Sequence, residues 1–176
     1  MYSDKENVNI LTALLAAHGI KHAVVCPGSR NAPIVHNLNE CPGISCIPVT
    51  DERSAGFVAL GVAQATGMPV VVCVTSGSAL LNLAPAVAEA CYQHLPLVVV
   101  SADRPAALGR FVRKAVNLPE PHDDTDRWHC NRLVNDVLAL AVLRQPCPVH
   151  INVPITEPLF GFSAARLPAE RCFKTI

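Results

Sequence analysis

The sequence predicts an α/β domain built on a doubly wound parallel sheet with helices on both faces. Short runs of β-branched residues alternate with helical segments, and these runs are apolar throughout instead of alternating with polar residues. Such strands are typical of a parallel sheet buried on both faces, and right-handed crossovers place helices on both sides of it. Hydrophobic residues make up 51% of the 176 residues, which is enough for the core of one domain.

Four elements follow from the first fifty residues. Apolar side chains at helical spacing predict a helix over 6–18, and Gly19 is suited to end it in a left-handed conformation. The apolar run 22–26 predicts the first strand. A short helix over 32–38 and a second strand over 44–49 complete a strand–helix–strand unit.

The middle of the chain repeats this order. A helix is predicted over 51–65, because its first residue is an aspartate suited to capping and a Gly-Met-Pro sequence follows its end. The β-branched run 69–74 predicts a buried strand, and the polar residues 75–78 predict a loop. An Ala- and Leu-rich helix over 79–92 and a buried strand over 96–102 come next.

The last third of the chain is less regular. Residues 103–122 are rich in proline and are predicted to be irregular, before a helix over 125–143 and a last strand over 148–154. After this strand the alternation of strand and helix is lost. We therefore expect one domain over residues 1–160 and a linker over 161–176 that leads toward a further domain.

Charge and hydropathy exclude several classes of protein. Fourteen basic residues balance fourteen acidic ones, so the chain lacks the positive charge typical of proteins that bind nucleic acids or anionic membranes. Mean hydropathy is high at +0.32, but no stretch approaches the ~18 apolar residues of a membrane span. The polar N-terminus resembles no signal peptide, so a cytoplasmic location is expected.

The eight cysteines and seven histidines do not predict a metal site. No two cysteines have C-x-x-C spacing, and the histidines show no spacing typical of metal ligands. Three cysteines lie in or beside apolar runs, where a thiol behaves as a small hydrophobic group. We therefore expect reduced, mostly buried thiols and no metal bound by this chain.

Polar residues follow four of the predicted strands, in the loops 27–31, 51–53, 75–78 and 103–105. Because the carboxyl ends of parallel strands meet at one edge, these loops should form a small-molecule site there. Their arginines favour a ligand with carboxylates, which guanidinium groups bind with two hydrogen bonds. Each residue alone also fits an ordinary role, as a turn glycine, a first-turn acid or a surface arginine. Neither a dinucleotide-binding nor a P-loop motif is present.

Four short motifs carry a resemblance to a known family. The chain reads C-P-G-S-R at 26–30, D-E-R-S-A-G-F at 51–57, T-S-G at 75–77 and A-D-R-P at 102–105. Over about residues 6–160 it resembles the pyrimidine-binding domain of thiamine-diphosphate-dependent enzymes. The combination of P-G-S-R, D-E-R-S and A-D-R-P is closer to the 2-succinyl-5-enolpyruvyl-6-hydroxy-3-cyclohexene-1-carboxylate synthases of menaquinone biosynthesis than to acetolactate synthases.

The resemblance implies a transferase that decarboxylates 2-oxoglutarate and joins the remaining unit to isochorismate, using thiamine diphosphate and Mg²⁺. Glu52 matches the glutamate that hydrogen-bonds N1′ of the cofactor's pyrimidine and promotes proton transfer within the cofactor. That role calls for a carboxyl group in an apolar pocket, where desolvation favours the protonated form.

The resemblance also assigns binding residues. Ser29, Arg30 and Arg104 match positions that contact substrate carboxylates. Candidates for lining the pyrimidine pocket, besides Glu52, are Pro27, Thr75, Ser76 and Asn82. Two alternatives stay open: another thiamine-diphosphate enzyme of the acetolactate synthase type, or a non-catalytic α/β binding or dimerisation domain. Arg30 and Arg104 would discriminate between the synthase and an enzyme of the acetolactate synthase type, since acidic substrates need cationic partners.

The chain also departs from the family pattern. It contains no G-D-G followed by an asparagine, the pattern that holds Mg²⁺ and the diphosphate, so this chain alone is expected to be inactive and to bind the cofactor poorly. The family has a longer loop after A-D-R-P, whereas residues 105–110 follow here without it. The resemblance further implies a homodimer or homotetramer of the intact protein, because the active site is shared between subunits.

Overall fold

A computed structural model describes residues 1–103 and 107–173, and within them it contains six α-helices, one 3₁₀ helix (Gly109–Phe111) and six strands. The helices are α1 (Glu6–Ala17), α2 (Ala32–Glu40), α3 (Glu52–Thr66), α4 (Ser78–Asn82), α5 (Ala84–Tyr92) and α6 (Asp124–Val142). The strands are β1 (His22–Val25), β2 (Ser45–Pro48), β3 (Val70–Val74), β4 (Leu97–Ser101), β5 (Ala115–Asn117) and β6 (Val149–Asn152). The predicted helices and strands are found with small shifts at their ends, except that the helix predicted over 79–92 is divided in two.

The strands form one parallel sheet in the order β2-β1-β3-β4-β6-β5. Helices α1, α2 and α6 cover one face, which we call the first face, and α3, α4 and α5 cover the second face. The prediction of a doubly wound parallel sheet is confirmed. The chain reverses its direction of travel across the sheet between β1 and β3, which are neighbours although β2 lies between them in sequence.

The two faces of the sheet have separate apolar cores. Along β3, Val71 and Cys73 pack on the first face, while Val70, Val72 and Val74 pack on the second face. All five side chains are fully buried. A strand with apolar residues on both faces therefore has the unbroken apolar sequence that predicted it.

The helix predicted over 79–92 is two helices, α4 and α5, joined at Leu83. Pro85 is the cause, because it has no N–H to donate to Leu81 and its ring would collide with that carbonyl in a continuous helix. Proline is tolerated in the first turn of a helix, which is where Pro85 lies in α5.

The prediction that residues 103–122 are wholly irregular is wrong. Strand β5 lies in this segment and pairs in parallel with β6 at the edge of the sheet. It has three residues, of which only Val116 is buried. A strand this short has no periodic pattern, so neighbouring sequence gives no signal for it.

The segment after β6 packs against the rest of the chain. Ala164 pairs with Tyr2 through two backbone hydrogen bonds of 2.7 and 3.1 Å. Asn131 and Asn135, both in α6, each donate to the backbone carbonyl of Arg171. The division into a domain over 1–160 and a linker over 161–176 stays a prediction. None of the helices in the described part of the chain has the length and apolar character needed to cross a membrane.

Candidate active site

The predicted site residues within the described part of the chain lie at or near the carboxyl edge of the sheet, where β1 and β3 end. After β1 the chain turns to α2 on the first face, and after β3 it turns to α4 on the second face. Loops that leave a parallel sheet in opposite directions open a crevice between them, where ligands of such folds bind. The topology therefore places the crevice where the sequence predicted a site.

Gly28 brings the two loops of this crevice into direct contact. A Cβ atom at this position would lie 2.7 Å from Oγ1 of Thr75 and 2.6 Å from Oδ1 of Asn31. Both distances are far below a normal van der Waals contact, so only glycine fits without a shift of its neighbours. The loop after β1 is thereby seated on the first residue after β3.

Glu52 is the first residue of α3 and is half-buried at the crevice. It follows the helix cap Asp51, whose Oδ2 accepts a hydrogen bond of 2.7 Å from the backbone N–H of Ser54. This cap fixes the start of the helix and hence the position of Glu52. Nδ2 of Asn82, the last residue of α4, donates to Oε2 of Glu52 over 3.2 Å.

The buried thiol of Cys26 lies near the Glu52 carboxylate. Burial, with a smaller contribution from the negative charges of Glu52 and Asp51, raises the pKa of Cys26 to about 11. The electrostatic effect requires these carboxylates to lie near the thiol. Cys26 therefore stays neutral and forms part of the apolar wall beside Glu52.

Arg30 reaches across the carboxyl edge of the sheet. Its half-buried side chain donates from Nη1 to the backbone carbonyl of Ile155 over 3.2 Å. Ile155 follows β6, so the guanidinium crosses from the end of β1 toward the end of β6. A guanidinium has five N–H donors, and this contact leaves several for an acidic ligand.

The other predicted site residues vary in exposure. Pro27, Ser29 and Ser76 are exposed at the same edge, and Thr75 is half-buried against Gly28. Arg104 lies outside the described residues. Asn82, which was predicted to line a pocket, is exposed and contacts Glu52 directly.

Asn31 was not singled out by the sequence and is fully buried beneath the crevice. Its Nδ2 donates to the carbonyl of Cys26 over 2.9 Å and contacts Sγ of Cys73 at 3.8 Å. Its Oδ1 is buried and has no hydrogen-bond partner among the described residues. The side chain thus joins the ends of β1 and β3, and no local pattern distinguishes it from an ordinary helix-start asparagine.

A second feature that the sequence did not reveal is a row of polar side chains at the ends of β4, β6 and β5. Asn152 donates to Oδ1 of Asn117 over 2.6 Å, and Ser101 donates to Oδ1 of Asn152 over 3.1 Å. Oγ of Ser101 must then accept from Nε2–H of His150, which lies 2.7 Å away. Burial lowers the pKa of His150 to about 4. The sequence contained one signal for this row, because two polar residues, His150 and Asn152, interrupt the otherwise apolar run V-H-I-N-V.

A cavity of about 370 Å³ lies beside the crevice on the first face. It is mostly apolar, and Cys26, Gly28 and Val35 form one side while Phe160 and Phe162 form the other. The segment after β6 therefore closes over the loop that carries Ser29. Among the described residues, no three His, Cys, Asp or Glu side chains are grouped as metal ligands.

Comparison with known proteins gives a family match. The model of the family described as "Thiamine pyrophosphate enzyme, N-terminal TPP binding domain" matches residues 6–124. This range includes the crevice loops after β1, β2 and β3 and ends at the start of α6.

Several curated proteins are similar to the chain over 97% of its length. A protein of Bacteroides thetaiotaomicron is 55% identical, one of Phocaeicola vulgatus is 53% identical and one of Porphyromonas gingivalis is 42% identical. Each of the three is named 2-succinyl-5-enolpyruvyl-6-hydroxy-3-cyclohexene-1-carboxylate synthase. The chain spans about a third of the length of these relatives, between 32% and 34%.

The alignment also shows that the chain is shorter than this relative over the matched length. The match to the Bacteroides thetaiotaomicron protein covers 186 residues, whereas 97% of the 176 residues is about 171. About 15 aligned positions therefore have no counterpart in this chain.

Proposed function

The chain belongs to the family of thiamine pyrophosphate enzyme N-terminal TPP-binding domains, and on this premise we propose that it is the pyrimidine-binding domain of a menaquinone-pathway synthase. The intact protein would decarboxylate 2-oxoglutarate and add the succinyl-semialdehyde unit to isochorismate. One observation carries the proposal: the Glu52 carboxylate stands at the crevice between β1 and β3 with one oxygen held by Asn82.

The pyrimidine ring of thiamine diphosphate would bind at this crevice. Gly28 packs the loop after β1 directly against Thr75, which fixes the two loops relative to each other. Asn82 occupies Oε2 of Glu52, which leaves Oε1 to share a proton with the ring nitrogen N1′. Pro27, Thr75 and Ser76 would line the pocket around the ring. When bound, thiamine diphosphate supplies the electron sink for decarboxylation of a 2-oxo acid.

Glu52 would act by holding or releasing a proton at N1′. The thiol of Cys26, whose pKa burial raises to about 11, gives the carboxylate a neutral neighbour. The carboxylate also lies at the N-terminus of α3, where the helix dipole stabilises negative charge. The diphosphate and Mg²⁺ would bind to parts of the intact protein outside this chain.

Ser29, Arg30 and Arg104 would bind the carboxylates of the two substrates. Arg30 supports this role, because its contact with the carbonyl of Ile155 holds a half-buried guanidinium over the edge of the sheet. Both proposed substrates are acids, and a fixed guanidinium binds a carboxylate with two parallel hydrogen bonds. The same observation favours this synthase over an enzyme of the acetolactate type.

The surface near Glu52 supports an oligomeric intact protein, for which we also propose a cytoplasmic location. Phe57 of α3 and Leu81 of α4 are 46% and 55% exposed on the second face. Large apolar side chains beside a site are typical of surfaces that contact another domain or subunit. We propose a homodimer or homotetramer in which this surface is covered.

The intact gene product tests the proposal. We expect it to decarboxylate 2-oxoglutarate with thiamine diphosphate and Mg²⁺, and to consume isochorismate in the same reaction. Glu52→Gln keeps the shape but cannot exchange the proton, so turnover should fall about 10²–10⁴-fold. Glu89→Gln, an exposed change in α5, is the control and should leave turnover unchanged.

Two results would count against it. Near-normal turnover of the Glu52→Gln protein would eliminate the proposed role of this side chain. If the wild-type protein acted on pyruvate and not on 2-oxoglutarate, the proposed substrates would be wrong, but the proposed role of Glu52 would still stand.

A further inference from the structure

Two thiols meet at the amino-terminal edge of the sheet, opposite the candidate site. Sγ of Cys147 lies 3.8 Å from Sγ of Cys91. Cys91 is in the last turn of α5, which returns from the carboxyl edge to the start of β4, and Cys147 directly precedes β6. The two residues are 56 positions apart in sequence, so their contact is a product of the fold.

Both cysteines are held in place by ordered backbone. The N–H of Cys147 donates to the carbonyl of Ala141 over 3.1 Å, and the carbonyl of the next residue, Pro148, accepts from the N–H of Arg113 over 2.8 Å. Cys91 is part of a regular helix. A disulfide needs its sulfurs about 2 Å apart, so side-chain rotation and a small backbone movement would close the remaining gap.

The exposures of the two thiols differ in a way that sets an order of reaction. Cys91 is partly exposed, whereas Cys147 is buried and 8% exposed. Oxidation by a soluble peroxide begins at the more accessible thiol, and a neighbouring thiol then resolves the product. Burial raises the pKa of Cys147, which the nearby Arg113 guanidinium partly offsets.

We propose that Cys91 and Cys147 form an oxidative modification site in which a peroxide converts the two thiols to a disulfide. The Cys91 thiolate attacks one peroxide oxygen and becomes a sulfenic acid while water or an alcohol leaves. The Cys147 thiolate then attacks the Cys91 sulfur, the S–S bond forms, and the sulfenic oxygen leaves as water. One peroxide is reduced and two thiols are oxidised, and a dithiol reductant reverses the change.

The disulfide would join the helix layer of the second face to the connection between α6 and β6. It would close a loop over residues 91–147, which contains β4, β5 and α6. Closing a loop of this length restricts the unfolded chain, so we expect the melting temperature to rise by roughly 5–15 °C. The candidate site lies at the other edge, and its activity should not change.

Peptide mapping of the intact gene product tests the site. After treatment with one equivalent of hydrogen peroxide, we expect the Cys91 and Cys147 peptides to be joined in non-reducing digests and separated by dithiothreitol. The Cys147→Ser and Cys147→Ala proteins should instead accumulate a sulfenic acid at Cys91, which dimedone traps. Cys172→Ser is the control, because Cys172 is also partly exposed but contacts no other thiol among the described residues.

The outcomes are distinct. The cross-link should persist in the control and disappear in Cys91→Ser. Overoxidation of Cys91 without pairing, or pairing of Cys91 with a different cysteine, would overturn the proposal. Since no step depends on thiamine diphosphate, these results are independent of the proposed function.

Discussion

The two edges of the sheet differ in how their polar groups are used. At the amino-terminal edge, the Arg113 guanidinium donates to the carbonyls of Leu140, Leu143 and Gln145, at 2.9, 3.3 and 2.5 Å. At the carboxyl edge, Glu52 receives one hydrogen bond and Oδ1 of Asn31 receives none from the described residues. Both edges also contain paired polar groups, but at the crevice between β1 and β3 these two acceptors keep unused hydrogen-bonding capacity.

This difference follows from what each edge does. The last carbonyls of a helix have no partners within the helix, so a cation that binds them stabilises the fold. A buried acceptor without a partner lowers stability, and such a group persists where a ligand can use it. Changes at the amino edge should therefore affect stability, and changes at the carboxyl crevice should affect activity.

The largest expected effect outside the Glu52 test is on acid stability, through His150. Its pKa is about 4 in the folded protein and 6.5 when unfolded, so the unfolded chain binds more protons between these values. The free energy of unfolding should fall as the pH drops from 6.5 toward 4, by about 3 kcal/mol for this group. Above pH 6.5 its contribution is fully present.

Chemical denaturation at pH 7 and pH 4 measures this effect. His150→Gln keeps a donor for Ser101 and cannot titrate, so it should lose about 3 kcal/mol less than the wild type over this range. Hydrogen bonds from Ser163 and Ser54 lower the pKa of Asp4 and Asp51, which affects both proteins equally. Equal losses in the two proteins would show that His150 is not neutral and buried.

The next largest effect is expected on the free energy of unfolding, from a change at the amino edge. Arg113→Ala removes the donors to three carbonyls at the end of α6 and should lower the free energy of unfolding by about 2 kcal/mol. Urea denaturation measures this loss, and Arg132→Ala, an exposed change in the middle of α6, should cost less than about 0.5 kcal/mol. Turnover of the intact protein should not change. If Arg113→Ala instead caused a large loss of turnover with unchanged stability, the assignment of the amino edge to stability would be wrong.

The smallest effect is expected from Asn82→Ala. The change removes the donor to Oε2 of Glu52 and should lower turnover about 5–10-fold, which corresponds to about 1 kcal/mol for one partly exposed hydrogen bond. The free energy of unfolding should stay within about 0.5 kcal/mol of the wild type, because Asn82 is exposed. Gln64→Ala, an exposed amide change on α3, is the matched control for turnover. A proportional loss of stability in Asn82→Ala would mean that the residue supports the fold and not the carboxylate.

Much of the fold was predictable because its signals are local. The unbroken apolar run of β3 predicts a strand buried on both faces, and Asp51 with Gly67 marks the two ends of α3. Gly67 has a φ of +66°, the left-handed conformation that glycine adopts at helix ends. Strand β5 was missed because three residues with one buried side chain carry no pattern.

The candidate site was predictable in part for a similar reason. Parallel strands bring their following loops to one edge, so the order of elements alone places Glu52, Ser29 and Thr75 at the same crevice. Whether these residues bind cofactor and substrates stays a prediction.

The sequence by itself determined the class of sheet, the ends of its main elements and the edge at which the polar loops collect. Only the tertiary structure decided which side chains meet across those loops: Asn82 with Glu52, Arg30 with Ile155, and Cys91 with Cys147. Periodicity and capping act over a few residues, whereas these contacts join positions 30 to 125 residues apart. Their distances depend on how helices and strands pack, which no short stretch of sequence encodes.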